Sequence, residues 1–331
     1  MPEARTDLSA APVRAGEVGA VAIGRNEGAR LVRCLDSLGP QVGRVVYVDS
    51  GSTDGSVEAA CRRGAEVVAL DTTRPFTAAR ARNAGAARLA EDGLPEFIQF
   101  VDGDCELRAG WIATARAALA ADPGLAVVCG RRRERHPDAS IYNRLADLEW
   151  DTPVGPAKSC GGDALMRAAA FARVGGFDPS LIAGEEPELC VRLRQAGWRI
   201  ERLDAEMTWH DMDMHRFSQW WRRARRGGHA FAEGAWLHGG PPERHSVRET
   251  RRILLWGAGL PAVILLAALA AGPWALLAFL VYPAQMARLT LREGWPRGVF
   301  LVLGYFAEAR GALGFHLGRL AGRRAGLIEY R

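Results

Sequence analysis

Two aspartates separated by one glycine, Asp102-Gly103-Asp104, directly follow the apolar run FIQFV. Paired carboxylates at the end of a buried strand supply the hard oxygen ligands that Mg²⁺ and Mn²⁺ prefer. An ion held there can neutralise the charge on the phosphates of a substrate. A solvated turn would use the same residues, because Asp and Gly are both common in turns. The triplet alone therefore leaves a metal site and a plain turn as alternatives.

Polar residues also follow two other apolar runs. The run VGAVAI leads into Arg25, Asn26 and Glu27, and the run RVVYV leads into Asp49. In an open α/β sheet, ligands bind outside the carboxyl ends of the strands. We therefore expect these side chains and the two aspartates to converge on one rim of a sheet.

Apolar runs alternate with helical patterns over the first 130 residues. The runs typical of buried strands cover residues 18–23, 44–48, 66–70, 97–101 and 125–130. The helical patterns cover residues 28–38, 56–63, 77–90 and 110–121. This rhythm predicts an α/β fold with a mixed, mostly parallel sheet flanked by helices. Residues 131–160 are polar and are expected to be irregular, whereas a further helix is predicted at 187–196.

Several other classes of site are excluded by the motifs. A dinucleotide-binding fold needs G-x-G-x-x-G after its first strand, but the segment IGRNEGARL offers only Gly24 and Gly28. The P-loop pattern GxxxxGK[ST] is absent from the sequence as well. The six cysteines lie singly, which argues against a disulfide scaffold or a zinc ribbon and fits a reducing compartment.

Arginines are concentrated just before the longest apolar part of the chain. The formal net charge is +5, and residues 216–252 alone contain nine arginines and three acids, or +6. Such a stretch suits an anionic membrane surface or a phosphate-bearing substrate. Nucleic acid is not expected as a partner, because Trp220 and Trp221 are not interleaved with the arginines as a stacking platform.

The 35 residues from Ile253 to Ala287 carry no charge. Residues 253–271 approach the length of about 20 residues that one membrane span needs, while residues 274–287 are short for one. Residues 299–320 are apolar but charged in places, which predicts an interfacial helix or a span packed on the others. Arginines on both sides favour a hairpin with both ends in the cytoplasm. A soluble helical domain is the alternative.

Six segments, taken in order, make the chain similar to the family 2 glycosyltransferases of the GT-A fold. They are AIGRNEGARLVRCLDSL, VVYVDSGSTDGS, ARARNAGAA, FVDGDCEL, GGDALMRAAAFARVGGFD and GEEPELCVRLRQAGW. Each is weak alone, but the ordered set is specific. The expected parts are a flexible N-terminus at 1–17, a GT-A domain at 18–238, a basic linker at 239–252 and a membrane-associated helical region at 253–331.

The resemblance implies a site for a nucleotide-diphosphate sugar and for Mg²⁺ or Mn²⁺. The donor-binding residues that it implies are Arg25, Asn26, Glu27, Asp49, Arg82 and Asp102. Asp104 would bind the metal, and Asp102 would reach either the metal or the ribose. His210 would help to hold the metal or the donor phosphates, unless it is a structural histidine. Arg82 either touches the donor or only anchors its helix.

The resemblance also implies a catalytic base. Glu186 stands where the family usually has an aspartate, and Glu185 is the neighbouring candidate. The base would take the proton of an acceptor hydroxyl during in-line attack on the anomeric carbon. Alternatively, both glutamates only cap the helix that begins near Pro187.

Two segments resemble acceptor-side elements of the family. The acceptor-binding residues that they imply are Gly161, Gly162, Asp163, Gln219, Trp220 and Arg222. Glycines let a bulky acceptor approach the backbone, although a turn would require them equally. Arg223 replaces the last Trp of the QxxRW element of processive synthases, which favours transfer of a single sugar. An amphipathic helix at the membrane interface is the alternative for this second segment.

Together these features predict a metal-dependent inverting glycosyltransferase at the cytoplasmic membrane. Its catalytic domain would face the cytoplasm, and its acceptor would be lipid-linked or a polysaccharide precursor. One alternative is transfer of the sugar to a polyprenyl phosphate. Another is a non-catalytic membrane protein that binds nucleotide sugars.

Overall fold

The computed structural model describes residues 16–322, and it confirms the alternation of strands and helices. The strands are β1 (Val18–Gly24), β2 (Arg44–Asp49), β3 (Glu66–Ala69), β4 (Phe97–Asp102), β5 (Cys105–Leu107), β6 (Leu125–Glu134), β7 (Gly155–Pro156), β8 (Ala164–Arg167) and β9 (Arg199–His210). The helices among them are α1 (Ala29–Leu38), α2 (Ser56–Arg62), α3 (Ala78–Ala90), α4 (Trp111–Ala121), α5 (Ile141–Glu149), α6 (Ala168–Arg173) and α7 (Glu185–Gln195), and α8 (Phe217–His238) follows β9. The parts of the predicted terminal segments at 1–15 and 323–331 lie outside the described residues.

The described strands form one mixed sheet in the order β3-β2-β1-β4-β8-β6-β9-β5, with β7 paired to β9. Strands β1 to β4 are parallel to one another, whereas β8 is antiparallel to both β4 and β6. The register places Gly24 beside Asp49 and Ile23 beside Asp102. The carboxyl ends of β1, β2 and β4 therefore meet at one rim of the sheet, as the sequence predicted.

Helix α3 packs closely on the middle of the sheet because Gly85 has no side chain. A Cβ atom at this position would lie only 2.3 Å from Cγ1 of Val21 in β1. Arg82 lies three residues earlier and so on nearly the same face of the helix. The close approach of α3 therefore brings the Arg82 guanidinium to the rim.

Residues 131–160 are more regular than predicted. They contain the second half of β6, helix α5 and the short strand β7. The charged run RRRERH hides the strand, because Arg131 is buried and lies 3.0 Å from Asp147 of α5 in an ion pair. Strand β5 was also missed, since three residues beside an Asp-Gly-Asp turn carry too little pattern to distinguish a strand from a loop.

Beyond α8 the chain continues as long apolar helices. They comprise α9 (Val247–Leu254), a π-helical turn (Leu255–Gly259), α10 (Leu260–Ala271), a 3₁₀ segment (Pro273–Leu280), α11 (Val281–Glu293) and α12 (Arg297–Leu320). Within residues 16–322, three continuous helices are long and apolar enough to cross a membrane, namely Val247–Ala271, Pro273–Glu293 and Arg297–Leu320. Residues 274–287, which were predicted to be short for a membrane span, are part of a 21-residue helix.

Helix α12 is more deeply buried than the other two apolar helices, because it packs along much of α8. A Cβ atom at Gly228 of α8 would lie 2.0 Å from the backbone oxygen of Glu308, and one at Gly311 of α12 would lie 2.0 Å from that of Arg225. The most apolar window of α12 is 50% buried, against 11% and 6% for the first and second helices. The two earlier helices expose their apolar side chains, whereas α12 is joined to the α/β part of the molecule.

Candidate active site

A cleft of about 850 Å³ opens at the rim of the sheet. It is lined by the ends of β1 and β4, by the start of α7 and by α8 and α12. The predicted residues Arg25, Glu27, Arg82, Asp102, Asp104, Gly162, Glu185, Glu186, His210 and Trp220 all line it. The cleft therefore brings together residues that are far apart in sequence.

Arg82 bridges two carboxylates at the centre of the cleft. One terminal nitrogen donates to Asp102 Oδ1 and the other donates to Glu185 Oε1, each at 2.7 Å. Burial by itself would raise the pKa of Asp102, but the charges of Arg82 and Arg132 lower it to about 2. Asp102 is therefore ionised at every physiological pH, and Glu185 forms an ion pair with the same arginine.

Asp104 and His210 form a second pair beside this bridge. His210 Nε2 lies 3.3 Å from Asp104 Oδ2, and both side chains are buried. The pairing of β5 with β9 sets Cys105 opposite His210, which fixes this neighbourhood. On the other side of the ring, Nδ1 lies 3.8 Å from Glu134 Oε2.

These residues fit a divalent cation. Ligand atoms of Asp104, Cys105 and His210 all lie within 4.8 Å of one another, and each is buried. A carboxylate oxygen and an imidazole nitrogen, supplemented by phosphate oxygens of a substrate, form a donor set that suits Mn²⁺ or Mg²⁺. Asp104 and His210 would hold the ion, while Asp102 is tied to Arg82.

Glu186 forms part of the cleft wall at the first turn of α7. Its Oε1 accepts hydrogen bonds from the backbone N–H of Cys160 at 2.5 Å and from the thiol of Cys190 at 3.0 Å. Burial raises the pKa of Glu186 above the usual glutamate value. A carboxylate with a raised pKa at the edge of a cleft is suited to accepting a proton.

Asp163 lies behind the cleft and is fully buried. Its Oδ1 accepts a hydrogen bond from the backbone N–H of Asp102 at 3.1 Å, and its Oδ2 accepts one from the Thr208 hydroxyl at 2.9 Å. Arg132 lies 3.1 Å from the same Oδ2. Asp163 therefore positions the end of β4, and this placement does not support the predicted contact with an acceptor hydroxyl.

The two glycines before Asp163 behave differently from it. Gly162 lines the cleft, and a Cβ atom there would lie 2.9 Å from both the Arg82 guanidinium and the Asp102 carboxylate. Gly161 adopts a φ of +81°, a conformation that favours glycine. Both glycines are thus required by the local backbone, whether or not an acceptor also approaches them.

Two of the predicted donor-binding residues shape the loops beside the cleft. Asn26 Oδ1 accepts a hydrogen bond from the Thr53 N–H at 2.7 Å. Asp49 accepts hydrogen bonds from the Tyr47 hydroxyl at 3.0 Å and from the backbone N–H groups of Gly51 and Ser52 at 2.9 Å. Their contact with a nucleotide stays a prediction, whereas Arg25 and Glu27 reach the cleft directly.

The face of α8 that meets the cleft differs from the predicted one. Gln219 accepts hydrogen bonds from the N–H groups of His215 and Arg216, both at 2.9 Å, and so caps the helix. Arg222 is exposed on the outside of the helix. Of the predicted residues of α8, Trp220 does line the cleft. The residues three, four, six and seven positions after it line the cleft as well, namely Arg223, Ala224, Arg226 and Gly227.

Helix α12 supplies residues that the sequence did not suggest. Arg297, Phe300 and Tyr305 of α12 line the cleft, and Arg252 of α9 joins them. The Phe300 ring packs edge-on against Trp220 at 4.9 Å between ring centroids. No local signal in an apolar helix some 200 residues after the Asp-Gly-Asp motif reveals that it returns to the site.

Comparison with known proteins assigns the first part of the chain to a family. The family model for Glycosyl transferase family 2 matches residues 21–158. The matched region begins in β1 and ends just after β7, and it is similar to the family 2 glycosyltransferases. The resemblance seen in the sequence is thereby confirmed, and the rim of the sheet, Arg82 and Asp104 all lie in the matched region.

Two curated relatives each match a little over half of the chain. The pre-mycofactocin glycosyltransferase of Mycobacterium tuberculosis is 30% identical over 203 residues, which is 56% of this chain and 41% of the relative. The succinoglycan biosynthesis protein ExoA of Rhizobium meliloti is 31% identical over 194 residues, which is 54% of this chain and 58% of the relative. The chain therefore spans about half the length of these relatives.

A solved structure resembles nearly the whole chain. The mannosyltransferase PcManGT from Pyrobaculum calidifontis, in complex with GDP-Man and Mn²⁺, superimposes with a TM-score of 0.64 at 23% identity. The match covers 91% of this chain and 87% of that chain, so it includes C-terminal helices. The predicted GT-A fold followed by apolar helices is confirmed.

Proposed function

We propose that this protein transfers one sugar from a nucleotide-diphosphate donor to an acceptor, with inversion and with help from a divalent metal. One observation carries the proposal. A single cleft joins the Asp104–His210 pair, the buried carboxylate of Glu186 and the apolar helix α12. The family 2 match and the two relatives named as a glycosyltransferase and a polysaccharide biosynthesis protein support this reaction class.

The donor would lie along the carboxyl ends of β1 and β4. Its diphosphate would face Asp104 and His210, where Mg²⁺ or Mn²⁺ would stabilise the negative charge of the leaving group. PcManGT, which shares the fold, was solved with Mn²⁺ and GDP-Man, and this supports a divalent ion as the cofactor. Arg25 and Glu27 line the part of the cleft beyond the aspartates, where they would contact the nucleoside.

Glu186 would act as the base on the acceptor hydroxyl. Its Oε1 is engaged by two hydrogen-bond donors from Cys160 and Cys190, which orients the carboxylate on the cleft wall. Direct attack by the acceptor on the anomeric carbon in one displacement inverts the configuration. Glu185 is less suited to accept the proton, because Arg82 holds it in an ion pair at 2.7 Å.

The acceptor would enter from the membrane. Helix α12 lines the cleft, and the helices Val247–Ala271 and Pro273–Glu293 are long and apolar enough to span a bilayer. Trp220, Phe300 and Tyr305 give this end an aromatic lining. In this proposal a lipid-linked acceptor remains in the bilayer while its sugar reaches Glu186. The reaction would take place at the cytoplasmic membrane, and the catalytic domain would lie in the cytoplasm.

A second reaction is favoured by the charge of the same end of the cleft. Four arginines line it, on α8, α9 and α12, namely Arg223, Arg226, Arg252 and Arg297. Arginine is well suited to bind phosphate. If the acceptor were a polyprenyl phosphate, its phosphate oxygen would attack the donor and would need no base. Glu186→Gln would then retain most of its activity.

A donor screen tests the proposed reaction class. Purified full-length protein in detergent would be incubated with a panel of nucleotide sugars and Mg²⁺ or Mn²⁺, and release of nucleoside diphosphate would be measured. We expect one donor to be consumed, with loss of turnover in chelator and in Asp104→Asn. If no donor is consumed although one binds, the protein is a nucleotide-sugar-binding membrane protein and the enzymatic proposal is wrong.

A further inference from the structure

Two thiols lie directly behind the candidate base. Cys160 Sγ and Cys190 Sγ are 3.8 Å apart, and Cys190 Sγ lies 3.0 Å from Glu186 Oε1. All three residues are buried, and their potential ligand atoms lie within 4.8 Å of one another. The group is separate from the Asp104–His210 pair, because it sits between α7 and the segment that precedes β8.

The helix geometry explains why the three groups meet. Cys190 follows Glu186 by four residues in α7, so both side chains lie on one face of the helix. Cys160 reaches the same point from the segment that leads to Gly161 and Gly162, and its backbone N–H donates to Glu186 Oε1 at 2.5 Å. The cluster thus joins the candidate base to the glycine segment of the cleft.

The spacing of the sulfur atoms matches that of a tetrahedral metal site. With Zn–S bonds of about 2.3 Å, two thiolates at a tetrahedral angle lie about 3.8 Å apart. The two sulfurs are already 3.8 Å apart. The Glu186 carboxylate oxygen lies 3.0 Å from Cys190 Sγ, and all three ligand atoms lie within 4.8 Å of one another, so the carboxylate could supply a third ligand and water the fourth.

We propose that Cys160, Cys190 and Glu186 form a site for a thiophilic divalent cation such as Zn²⁺. Binding would convert both thiols to thiolates and release two protons, and the carboxylate would coordinate the same ion. The soft sulfur ligands select against Mg²⁺ and Mn²⁺, so an ion at this site would not compete with one at Asp104. An ion bound at this site would therefore inhibit sugar transfer without contacting the donor.

The inhibitory consequence rests on the proposed function, whereas the site itself does not. A carboxylate that coordinates a cation cannot accept the proton of an acceptor hydroxyl. If Glu186 is the base, occupancy of the site should lower turnover by about 10²–10⁴-fold, the usual contribution of a general base. Donor binding should be unchanged, because Asp102 and Asp104 remain as they are.

Binding of Co²⁺ in place of Zn²⁺ tests the site by spectroscopy. Full-length protein stripped of transition metals would be kept in saturating Mg²⁺ and titrated with Co²⁺. We expect one equivalent of Co²⁺ to produce a thiolate-to-cobalt charge-transfer band, and addition of Zn²⁺ to abolish it. Cys160→Ser and Cys190→Ser should each weaken or remove the band. The buried cysteine Cys129 serves as the matched control, and Cys129→Ser should retain the band.

The outcomes separate the site from the reaction. Absence of a thiolate band in the unmodified protein overturns the site without reliance on any variant. A band that survives in both Cys160→Ser and Cys190→Ser, or that disappears in Cys129→Ser alone, overturns the assignment of its ligands. A band at the assigned cysteines with undiminished sugar transfer would leave the site standing and contradict Glu186 as the base.

Discussion

The guanidinium of Arg82 lies 2.7 Å from the carboxylate of Asp102, and its own side chain is only 3% exposed. The other terminal nitrogen of Arg82 makes an equally short ion pair with Glu185. One buried arginine thus links the strand end that carries the candidate metal ligand to the helix that carries the candidate base. The donor side and the acceptor side of the cleft share this single side chain.

Loss of Arg82 should destabilise the fold. Arg82→Gln leaves two enclosed carboxylates without their partner, and removing one member of a buried pair costs about 3–5 kcal/mol. Because the Asp102 side chain is 30% exposed to the cleft, we expect the lower end of that range. The free energy of unfolding, measured by chemical denaturation, would check this.

A matched surface pair provides the control for Arg82. Arg63 lies 2.7 Å from Asp36, but these side chains are 29% and 57% exposed. Arg63→Gln should therefore cost no more than about 1 kcal/mol. Equal losses for the two variants would contradict the view that Arg82 is a buried organising residue.

Asp104 should determine metal binding. Asp104→Asn keeps the size of the side chain but loses the charge, so we expect Mn²⁺ affinity in the presence of donor to fall by at least tenfold, or about 1.4 kcal/mol. Electron paramagnetic resonance of free Mn²⁺ measures this directly. Asp178→Asn, on a loop turn, is the control and should bind Mn²⁺ normally. Unchanged binding by Asp104→Asn would exclude Asp104 as a ligand.

Two adjacent glycines of α8 test its packing against α12. A Cβ atom at Gly228 would overlap the backbone of Glu308, whereas one at Gly227 has no heavy atom within 4 Å. Gly228→Ala should destabilise the protein by about 1–3 kcal/mol or displace α12, as overpacking does elsewhere. Gly227→Ala should be neutral or slightly stabilising, since alanine favours helix more than glycine. Thermal unfolding in detergent distinguishes them, and equal melting temperatures would refute the contact.

The face of α8 gives a prediction about the acceptor. Arg223 lines the cleft and lies 2.7 Å from Glu149, while Arg222 is exposed. Arg223→Gln should raise the acceptor KM by about tenfold, whereas Arg222→Gln should leave it within twofold. Initial rates at varied acceptor concentration decide between them.

The strand ends were predictable because their signal is local. An apolar run followed at once by a polar group is enough to place Asp49 and Asp102 on one rim. The charged second half of β6 was not predictable. Its Arg131 is buried because it forms an ion pair with Asp147, and the composition of the segment does not reveal this pairing.

The acceptor side was less accessible to sequence reasoning for two physical reasons. A shift of one residue on a helix turns a side chain by about 100°, so Arg223 lines the cleft while Arg222 points away from it although they are neighbours in sequence. The return of α12 to the cleft depends on tertiary packing of Gly228 and Gly311. Apolar composition indicated only that α12 would be buried in protein or in lipid.

The most direct test of the account is turnover by Glu186→Gln compared with Glu185→Gln, measured together with donor affinity. Glu186→Gln keeps the shape of the side chain but cannot accept a proton, so transfer to a hydroxyl acceptor should fall by about 10²–10⁴-fold with donor affinity nearly unchanged. Glu185→Gln should lose less turnover, because its part is to pair with Arg82. Near-normal transfer by Glu186→Gln would contradict the central claim that this buried carboxylate is the base.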